Sequence, residues 1–265
     1  MDELKTLKKA LLEGGKVLSR YFGRVTYKLK GRGNLLTKAD LETQRTVISI
    51  IKAACPGHAI LAEEEGLGRL EADRGDEPLW IIDPLDGTTN YAHGFPLSAV
   101  SIGFMAGGKM RAGGVYDPFR KELFLASRGR GAFLNSKRLK VSGVPKLRDS
   151  LLVTGFPYDR AEKSDFYCSF FKAFLNISHD VRRMGVASLD LSWLAAGRTD
   201  GYWEFGLKPW DVSAGRLIVE EAGGKVTDFS GKPWTEVRDY GAMTLASNGR
   251  IHAEMLKIIR GKLRT

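Results

Sequence analysis

The sequence predicts an α/β layered fold with two lobes, and three observations support this prediction. Helical and strand patterns alternate near both ends of the chain, and the centre between them is rich in β patterns. A chain of 265 residues is long enough to bury a large core. Its 43% hydrophobic and 27% charged residues are typical of a globular protein. We place the boundary near residues 145–150, between an N-terminal lobe of residues 1–147 and a C-terminal lobe of residues 148–265.

The N-terminal lobe begins with two predicted helices and a short strand. Leucines near helical spacing predict a helix over residues 2–22, and the segment VTYKL, residues 25–29, predicts a strand. Thr37 is typical of an N-cap residue. We therefore expect a second helix that starts at Thr37 and runs to about Ala54, where a Pro-Gly pair ends it.

The β-rich centre follows these helices. The run AILA, residues 59–62, predicts a strand that finishes in three glutamates. Residues 66–78 are charged and rich in glycine, which indicates an exposed loop. From Ser98 to Asn135, short apolar runs are broken by glycine and by Asp-Pro. This pattern predicts a meander of antiparallel strands.

Strands and helices alternate again in the C-terminal lobe. The predicted strands cover residues 151–154, 201–205, 225–229 and 243–247. The predicted helices cover residues 165–176, 188–196 and 210–222, and a last one starts at about residue 251. Such alternation is typical of sheets that are covered by helices.

Charge, hydropathy and cysteine content narrow the class of protein. The net charge of +10 is compatible with a polyanion partner, but no nucleic-acid-binding motif accompanies it, so a solvated basic surface is the simpler interpretation. No apolar run approaches the length of about 20 residues that a membrane span needs. Cys55 and Cys168 lie far apart without metal-ligand spacing, which indicates reduced, buried thiols in a cytoplasmic protein.

The stretch WIIDPLDGTTN, from Trp80 to Asn90, is the clearest functional pattern. Asp83 ends an apolar run and should emerge at the carboxyl edge of a strand, where α/β proteins build sites. Pro84 should end the strand pairing, so that Asp86 can turn back towards Asp83. Two close carboxylates repel each other unless a cation lies between them, and Mg²⁺ prefers oxygen ligands. Taken alone, the pattern is as typical of an Asp-capped turn.

Three further features bear on this pattern. Gly87 and the threonines after it open a turn or helix whose backbone N–H groups suit a phosphate oxyanion. Glu63 ends a predicted strand, although it could simply be the charged edge of a loop. Asp211 begins a predicted helix, where acidic residues are stabilising in any case. Neither acid is decisive singly.

The combination of these segments resembles the inositol monophosphatase family. The matching segments are Glu63-Glu64, Asp83 to Asn90, and WDVSAGRLIVEEAGG from Trp210 to Gly224, and the likeness covers nearly the whole chain. The resemblance implies a layered αβαβα sandwich of the inositol monophosphatase and fructose bisphosphatase type. It also implies Mg²⁺-dependent hydrolysis of a small phosphorylated polyol, with myo-inositol monophosphate as the leading substrate.

The resemblance assigns roles to individual residues. The matching metal ligands are Glu63, Asp83, Asp86 and Asp211, with the backbone carbonyl of Leu85. The matching catalytic residues are Asp40 and Thr88, which would orient or deprotonate the attacking water, together with Glu63. The matching substrate contacts are Leu85, Asp86, Gly87 and Thr88 on the phosphate side, and Arg182, Gly185, Ala187, Glu204 and Asp211 on the alcohol side. Lys30 matches a lysine on a loop beside the metal site.

Several alternatives stay open at this point. An aspartyl-phosphate mechanism of the D-x-D-G-T type fails, because its nucleophile would occupy the position of Pro84. Fructose-1,6-bisphosphate and the 3′-phosphate of phosphoadenosine phosphate would use the same metal site, and Glu204 favours inositol phosphate over them. A regulator that binds the transcription machinery is a third reading, which the presence of all four acids disfavours. By resemblance only, we expect a homodimer and inhibition by lithium.

Overall fold

The structure is a computed structural model that describes residues 2–24, 26–31, 34–65 and 77–264. The α-helices in these residues are α1 (Asp2–Tyr21), α2 (Lys38–Ala54), α3 (Thr88–Ala92), α4 (Ser164–Leu175), α5 (Ala187–Ala195), α6 (Pro209–Glu221) and α7 (His252–Lys262). The strands of the first half are β1 (Tyr27–Gly31), β2 (Asn34–Thr37), β3 (Ala59–Ala62), β4 (Leu79–Asp86), β5 (Ala99–Ala106), β6 (Lys109–Asp117), β7 (Glu122–Ser127), β8 (Gly131–Leu134) and β9 (Lys137–Arg138). The strands of the second half are β10 (Leu151–Thr154), β11 (Asp180–Arg182), β12 (Gly201–Phe205), β13 (Lys225–Thr227) and β14 (Met243–Ser247).

The first large sheet contains seven strands in sequence order, from β3 to β9. β3 and β4 are parallel, and every later pair is antiparallel, as the meander pattern predicts. All eight residues of β4 are buried, because α1 and α2 cover one face of the sheet and α6 covers the other. Thr37 is the N-cap of α2: its side chain accepts a hydrogen bond from the backbone N–H of Ala39 at 3.1 Å.

The second sheet has five strands in the order β11-β10-β12-β14-β13. β10 is parallel to both β11 and β12, whereas β14 is antiparallel to its two neighbours. Helices α4 and α7 contact this sheet and each other, and α5 and α6 contact both sheets. The layers therefore run α1/α2, first sheet, α5/α6, second sheet, α4/α7, which confirms the predicted αβαβα sandwich.

Small residues let α6 lie close to the first sheet. A Cβ atom added to Gly113 of β6 would lie 3.0 Å from the Cα of Ala214, and one added to Gly103 of β5 would lie 2.9 Å from the Cβ of Ser213. Any larger residue at either glycine would push α6 outwards. This close approach brings the start of α6, with Asp211, to the end of β4.

The two halves of the chain share one large apolar core. Ile81 and Val115 of the first sheet and Val153 and Ala246 of the second belong to the same cluster of buried side chains, which α5 and α6 bridge. The change from one sheet to the other falls between Arg138 and Leu151. The division into lobes at residues 147 and 148 stays a prediction.

Some expectations need correction. Pro84 does not end β4: pairing with β5 continues at Asp86, after a register shift that follows Asp83. The three-residue strand β11 was not predicted, because its sequence carries too few residues for a periodicity. Cys168 is exposed rather than buried.

The loop predicted at residues 66–78 lies mostly outside the described residues, and so does the side chain of Lys30. No described helix is both long and apolar enough to cross a membrane.

Candidate active site

A cavity of about 510 Å³ opens where the end of β4 meets the starts of α3, α5 and α6. Four of the predicted acids line it, and we call them the aspartate group: Glu63, Asp83, Asp86 and Asp211. Leu85, Gly87 and Thr88 also line it. A second set, the Glu204 group, consists of Arg183, Gly185, Ala187 and Glu204.

The bulge in β4 explains how two nearby aspartates reach the same cavity. Asp83 lies opposite Ser101 of β5, and Asp86 lies opposite Ala99, so three residues of β4 span two residues of its partner. Because side chains alternate between faces in a regular strand, an insertion of this kind redirects the side chains after it. Pro84 fits inside the bulge, where no ladder hydrogen bond is required of it.

Each aspartate of the aspartate group is anchored by a backbone N–H group. Asp83 Oδ1 accepts from Leu85 at 3.0 Å, Asp86 Oδ2 from Ser188 at 2.7 Å, and Asp211 Oδ2 from Lys208 at 2.7 Å. Ser188 lies in the first turn of α5, and Asp211 is the third residue of α6. Backbone donors of this kind favour an ionised carboxylate and fix its position.

The aspartate group concentrates negative charge in a buried space. Burial raises the pKa of Asp83 well above its usual value, and the charges of Glu63, Asp86 and Asp211 raise it further. Burial also raises the pKa of Asp211, with the charge of Asp86 as the next cause. Burial raises the pKa of Asp86 to about 6, although hydrogen bonds from N–H groups at the start of α5 lower it. Such a group of acids favours a bound cation.

The donor set fits a hard divalent metal ion. Carboxylates and backbone carbonyls are the oxygen ligands that Mg²⁺ and Ca²⁺ take, and the Leu85 carbonyl oxygen accepts a hydrogen bond from the Thr88 hydroxyl at 3.0 Å, which locates it beside the cavity. In the part of the chain that the structure describes, no three acidic, histidine or cysteine side chains form a ready-made metal cage.

Asp40 and Thr88, 48 positions apart in sequence, meet at this site. The Thr88 hydroxyl lies 3.2 Å from Asp40 Oδ1 as a hydrogen-bond donor. Asp40 Oδ2 accepts from the backbone N–H of Thr37 at 2.7 Å and from its hydroxyl at 2.6 Å, so the capping box of α2 holds the carboxylate in place. The predicted pair therefore exists as a hydrogen-bonded unit.

Gly87 turns the chain from β4 into α3 in a left-handed conformation, with φ of +88°. A Cβ atom there would lie 2.7 Å from Val186 Cγ2 and 3.1 Å from the Leu97 carbonyl oxygen. Both the backbone angle and the contacts therefore require glycine. The side-chain amide of Asn90 then donates to the carbonyl of Met184 at 2.9 Å, which ties α3 to the segment of Arg183 and Gly185.

Glu204 lies on β12 and lines the cavity. Its Oε2 accepts a hydrogen bond from the Tyr202 hydroxyl at 2.5 Å, and Gly155 leaves the space that its carboxylate occupies. Burial raises the pKa of Glu204 to about 7, and the nearby charge of Arg183 opposes that rise. The predicted residues Gly185 and Ala187 line the same cavity.

Arg182, predicted as an alcohol-side contact, does not line the cavity, whereas its neighbour Arg183 does, so its predicted role stays a prediction. Arg182 is exposed and forms an ion pair with Asp180. The sequence offers two adjacent arginines, and neighbouring side chains of an extended segment point to different sides. Sequence reasoning also missed other lining residues, among them Phe156, Tyr158, Arg160 and Lys208. Of these, only Lys208 could have been found from the sequence, because it lies next to the motif that contains Asp211.

Comparison with known proteins shows to which family the chain belongs. The model of the inositol monophosphatase family matches residues 2–263. The chain belongs to the inositol monophosphatase family. It is 44% identical over 256 residues to an inositol-1-monophosphatase of Synechocystis, covering 95% of this chain and 86% of that protein. It is 46% identical over 204 residues to the Nus factor SuhB of Pseudomonas aeruginosa, covering 76% of this chain and 75% of that protein.

Solved structures agree with the family assignment. The inositol monophosphatase of Anabaena superposes with a TM-score of 0.85 at 42% identity, covering 98% of this chain and 96% of that one. As a member of the inositol monophosphatase family, this chain is a phosphatase, and the family is metal-dependent in general. The relatives carry different names, because one is called an inositol-1-monophosphatase and another a Nus factor.

Proposed function

We propose that this protein is a Mg²⁺-dependent phosphomonoesterase that hydrolyses myo-inositol monophosphate to myo-inositol and phosphate. One observation supports this proposal above all: the aspartate group and Glu204 line one cavity, with the Asp40–Thr88 pair beside it. The aspartate group supplies ligands for cations and therefore a place for the phosphate. Glu204 supplies an acceptor for free hydroxyl groups, which a phosphorylated polyol keeps and the phosphate ester of a simple monohydric alcohol lacks.

The residues have separate tasks in the proposed reaction. Glu63, Asp83, Asp86, Asp211 and the Leu85 carbonyl would hold the metal ions. When bound, the ions supply Lewis-acid stabilisation of the phosphate oxygens and of the leaving alkoxide. The Thr88 hydroxyl donates to Asp40, so its oxygen can accept a hydrogen bond from the attacking water and aim it at phosphorus. The backbone amides around Gly87 and Thr88 suit the phosphate oxygens.

Water is the nucleophile in this proposal, without a phosphoenzyme. Asp83 and Asp86 are each anchored by a backbone N–H group, and as ligands of the metal ions they would be unavailable for attack on phosphorus. A phosphate ester made chiral at phosphorus tests this step. Direct attack by water inverts the configuration, whereas hydrolysis through an aspartyl-phosphate retains it. Retention, or an acyl phosphate trapped on either aspartate, would contradict the mechanism.

A substrate panel tests the proposed specificity. We expect kcat/KM to be higher for myo-inositol 1-phosphate than for fructose-1,6-bisphosphate and phosphoadenosine phosphate, and to vanish when Mg²⁺ is removed with a chelator. If the protein prefers either of the other esters, the proposed substrate is wrong but the proposed metal site stands. Phosphate release that is independent of divalent ions would remove the metal assignment as well.

A second candidate function rests on the names of relatives. Several are called Nus factors, and the net charge of +10 is compatible with a partner in the transcription machinery. Co-purification of RNA polymerase subunits with the tagged protein tests this candidate, with a Mg²⁺-ligand variant such as Asp83→Asn as a control for dependence on catalysis. Homodimer formation, lithium inhibition and a cytoplasmic location stay predictions.

A further inference from the structure

Tyr158 lines the cavity but has no role in the reaction as described so far. The residue begins a short 3₁₀ helix, Tyr158–Ala161, which follows β10 after the three residues Gly155, Phe156 and Pro157. Its side chain is half-exposed, and its hydroxyl group makes no hydrogen bond within the described part of the chain. A hydroxyl group that faces a cavity without an internal partner is available for a ligand.

Tyr158 spans the two groups of residues that line the cavity. Its chain segment lies on the side of Glu204, because β10 pairs with β12 and Gly155 leaves the space that the Glu204 carboxylate occupies. Its hydroxyl group lies towards the other side. Partial burial raises the pKa of this hydroxyl group, and the charges of all four acids of the aspartate group raise it further. The oxygen atom that joins a phosphate group to its alcohol would lie between the same two groups of residues.

Contacts on both sides of Tyr158 hold its segment in place. Asp159 accepts a hydrogen bond from the hydroxyl group of Tyr167, on α4, at 2.8 Å. Phe156 packs against Phe171 of the same helix, with their ring centroids 6.3 Å apart. The backbone at Tyr158 is therefore anchored to α4, while its own hydroxyl group stays unused.

A leaving alcohol needs a proton when its bond to phosphorus breaks. Among the described residues that line the cavity, Thr88, Thr89 and Tyr158 carry neutral hydroxyl groups. The Thr88 hydroxyl already donates to Asp40. A phenol is much more acidic than an aliphatic hydroxyl, but it still holds its proton at neutral pH. Tyr158 is therefore the best proton donor of the three.

We propose that Tyr158 is the general acid of the reaction and donates a hydrogen bond to the oxygen that joins phosphorus to the leaving alcohol. As water attacks, the bond between phosphorus and this oxygen breaks, and its electron pair stays on the oxygen. The oxygen then takes the phenol proton and leaves as the free alcohol. This transfer is favourable because an alkoxide is a stronger base than a phenolate.

The protons balance over one turnover. The phenolate of Tyr158 regains a proton from solvent, and the attacking water releases one to solvent. This inference rests on the proposed phosphatase function and adds a catalytic residue to it. It is independent of which alcohol the substrate carries, because every alkyl phosphate has the same joining oxygen.

Three variants separate proton donation from a structural role. Tyr158→Phe removes the hydroxyl group and keeps the ring. Tyr167→Phe is the matched control, because it removes a hydroxyl group that anchors the same segment but does not line the cavity. Lys208→Met tests the other side chain of the cavity that could release a proton, since the guanidinium groups of Arg160 and Arg183 do not release theirs.

Three phosphate esters differ in how much their leaving groups need a proton. The alkoxides that leave from myo-inositol 1-phosphate and from cyclohexyl phosphate are strong bases. The anion that leaves from 4-nitrophenyl phosphate is a weak base and departs without protonation. Steady-state kinetics with saturating Mg²⁺ give kcat and kcat/KM for each ester and each variant.

We expect Tyr158→Phe to lower kcat and kcat/KM about 100-fold for both alkyl esters, because general acid catalysis acts in the transition state. Turnover of 4-nitrophenyl phosphate should stay within about threefold, which also verifies that the variant is folded and binds metal. Tyr167→Phe should lower all three rates equally and by no more than about fivefold, because a loosened segment does not distinguish leaving groups.

Other outcomes would overturn the inference. Equal losses on all three esters in Tyr158→Phe would make Tyr158 a structural residue or a ligand of the phosphate. A loss on the inositol ester alone would make it a ligand of the ring hydroxyl groups. No loss on any ester would remove it from the reaction. A loss confined to the alkyl esters in Lys208→Met, without one in Tyr158→Phe, would assign the proton to Lys208.

Failure of the proposed function looks different. If myo-inositol monophosphate is not the substrate, the unmodified protein hydrolyses cyclohexyl phosphate and 4-nitrophenyl phosphate but not myo-inositol 1-phosphate. The comparison of the two remaining esters then still decides the role of Tyr158. If the unmodified protein releases phosphate from none of the three esters, the phosphatase function and the role of Tyr158 are both wrong.

Discussion

The aspartate group and the Glu204 group line the same cavity but are held in different ways. Each aspartate of the first group accepts a backbone N–H from a helix start or from its own strand bulge. Glu204 depends on a side chain, the hydroxyl of Tyr202, and Arg183 has no internal partner in the described residues. Groups that are fixed by the backbone suit chemistry common to every substrate. Groups that are held by side chains suit recognition, which differs from one substrate to the next.

The largest expected effect is on the aspartate group. Asp83→Asn removes one negative charge from the buried set, and we expect kcat/KM to fall roughly a thousandfold, about 4 kcal/mol, on every phosphate ester. Steady-state kinetics on myo-inositol 1-phosphate and an aryl phosphate measure this loss. Asp165→Asn, at an exposed position in the first turn of α4, is the control. Near-normal turnover by Asp83→Asn would contradict the metal assignment.

A smaller and selective effect is expected at Glu204. Glu204→Gln should lower kcat/KM for myo-inositol 1-phosphate about 30-fold, because a neutral amide accepts weaker hydrogen bonds than a carboxylate. An aryl phosphate, which has no hydroxyl groups to read, should be affected much less. If the two substrates lose equal activity, Glu204 belongs to the chemical machinery and the distinction between the two groups of residues fails.

The pH dependence of the substrate preference is a second test of the role of Glu204. Burial raises the pKa of Glu204 to about 7, so this carboxyl group gains its charge as the pH rises through that value. Because the charged form accepts hydrogen bonds more strongly, the preference for the inositol ester over the aryl ester should increase from pH 6 to pH 8. In Glu204→Gln the preference should be flat over this range. A preference that falls with pH would contradict the assigned role.

The smallest effect concerns Asp190, which lies in α5 behind the Glu204 group. Both of its carboxylate oxygens are buried without a hydrogen-bond partner in the described residues, and burial raises its pKa well above the usual value. Because the folded pKa is raised, the folded state holds this proton more tightly than the unfolded state. The associated stability is complete below the unfolded pKa and is lost as the pH rises through the folded pKa.

Asp190→Asn removes this titration, so we expect a gain of about 1 kcal/mol at pH 8 that disappears near pH 4. For a chain of this size, the gain corresponds to a rise in Tm of about 2–4 °C. Thermal unfolding at the two pH values measures it, with the exposed Asp165→Asn variant as a control that should not gain stability at pH 8. A loss of stability at pH 8 would mean that Asp190 is charged and paired in the folded protein.

Local patterns in the sequence determined much of this protein. The N-cap at Thr37, the apolar run that ends at Asp83, and the acidic start of α6 at Asp211 are short-range features, because capping and strand burial are set by residues within a few positions. They were sufficient for the layered α/β class and for Asp83 and Asp211 as candidate site residues, whereas the full set of metal ligands came from the family resemblance. The resemblance to a phosphatase family then supplied Asp40 and Glu204, whose roles no local pattern carries.

The tertiary structure alone decided the features that depend on contacts between distant segments. Whether Arg182 or Arg183 faces the cavity depends on how the end of β11 packs against α3, through Asn90 and Met184. The continuation of β4 past Pro84 depends on pairing with β5, which absorbs an extra residue as a bulge. The unpartnered burial of Asp190 depends on the packing of α5 between the two sheets. In the first two cases one residue of register decides the result, and register is fixed by long-range packing rather than by the local sequence.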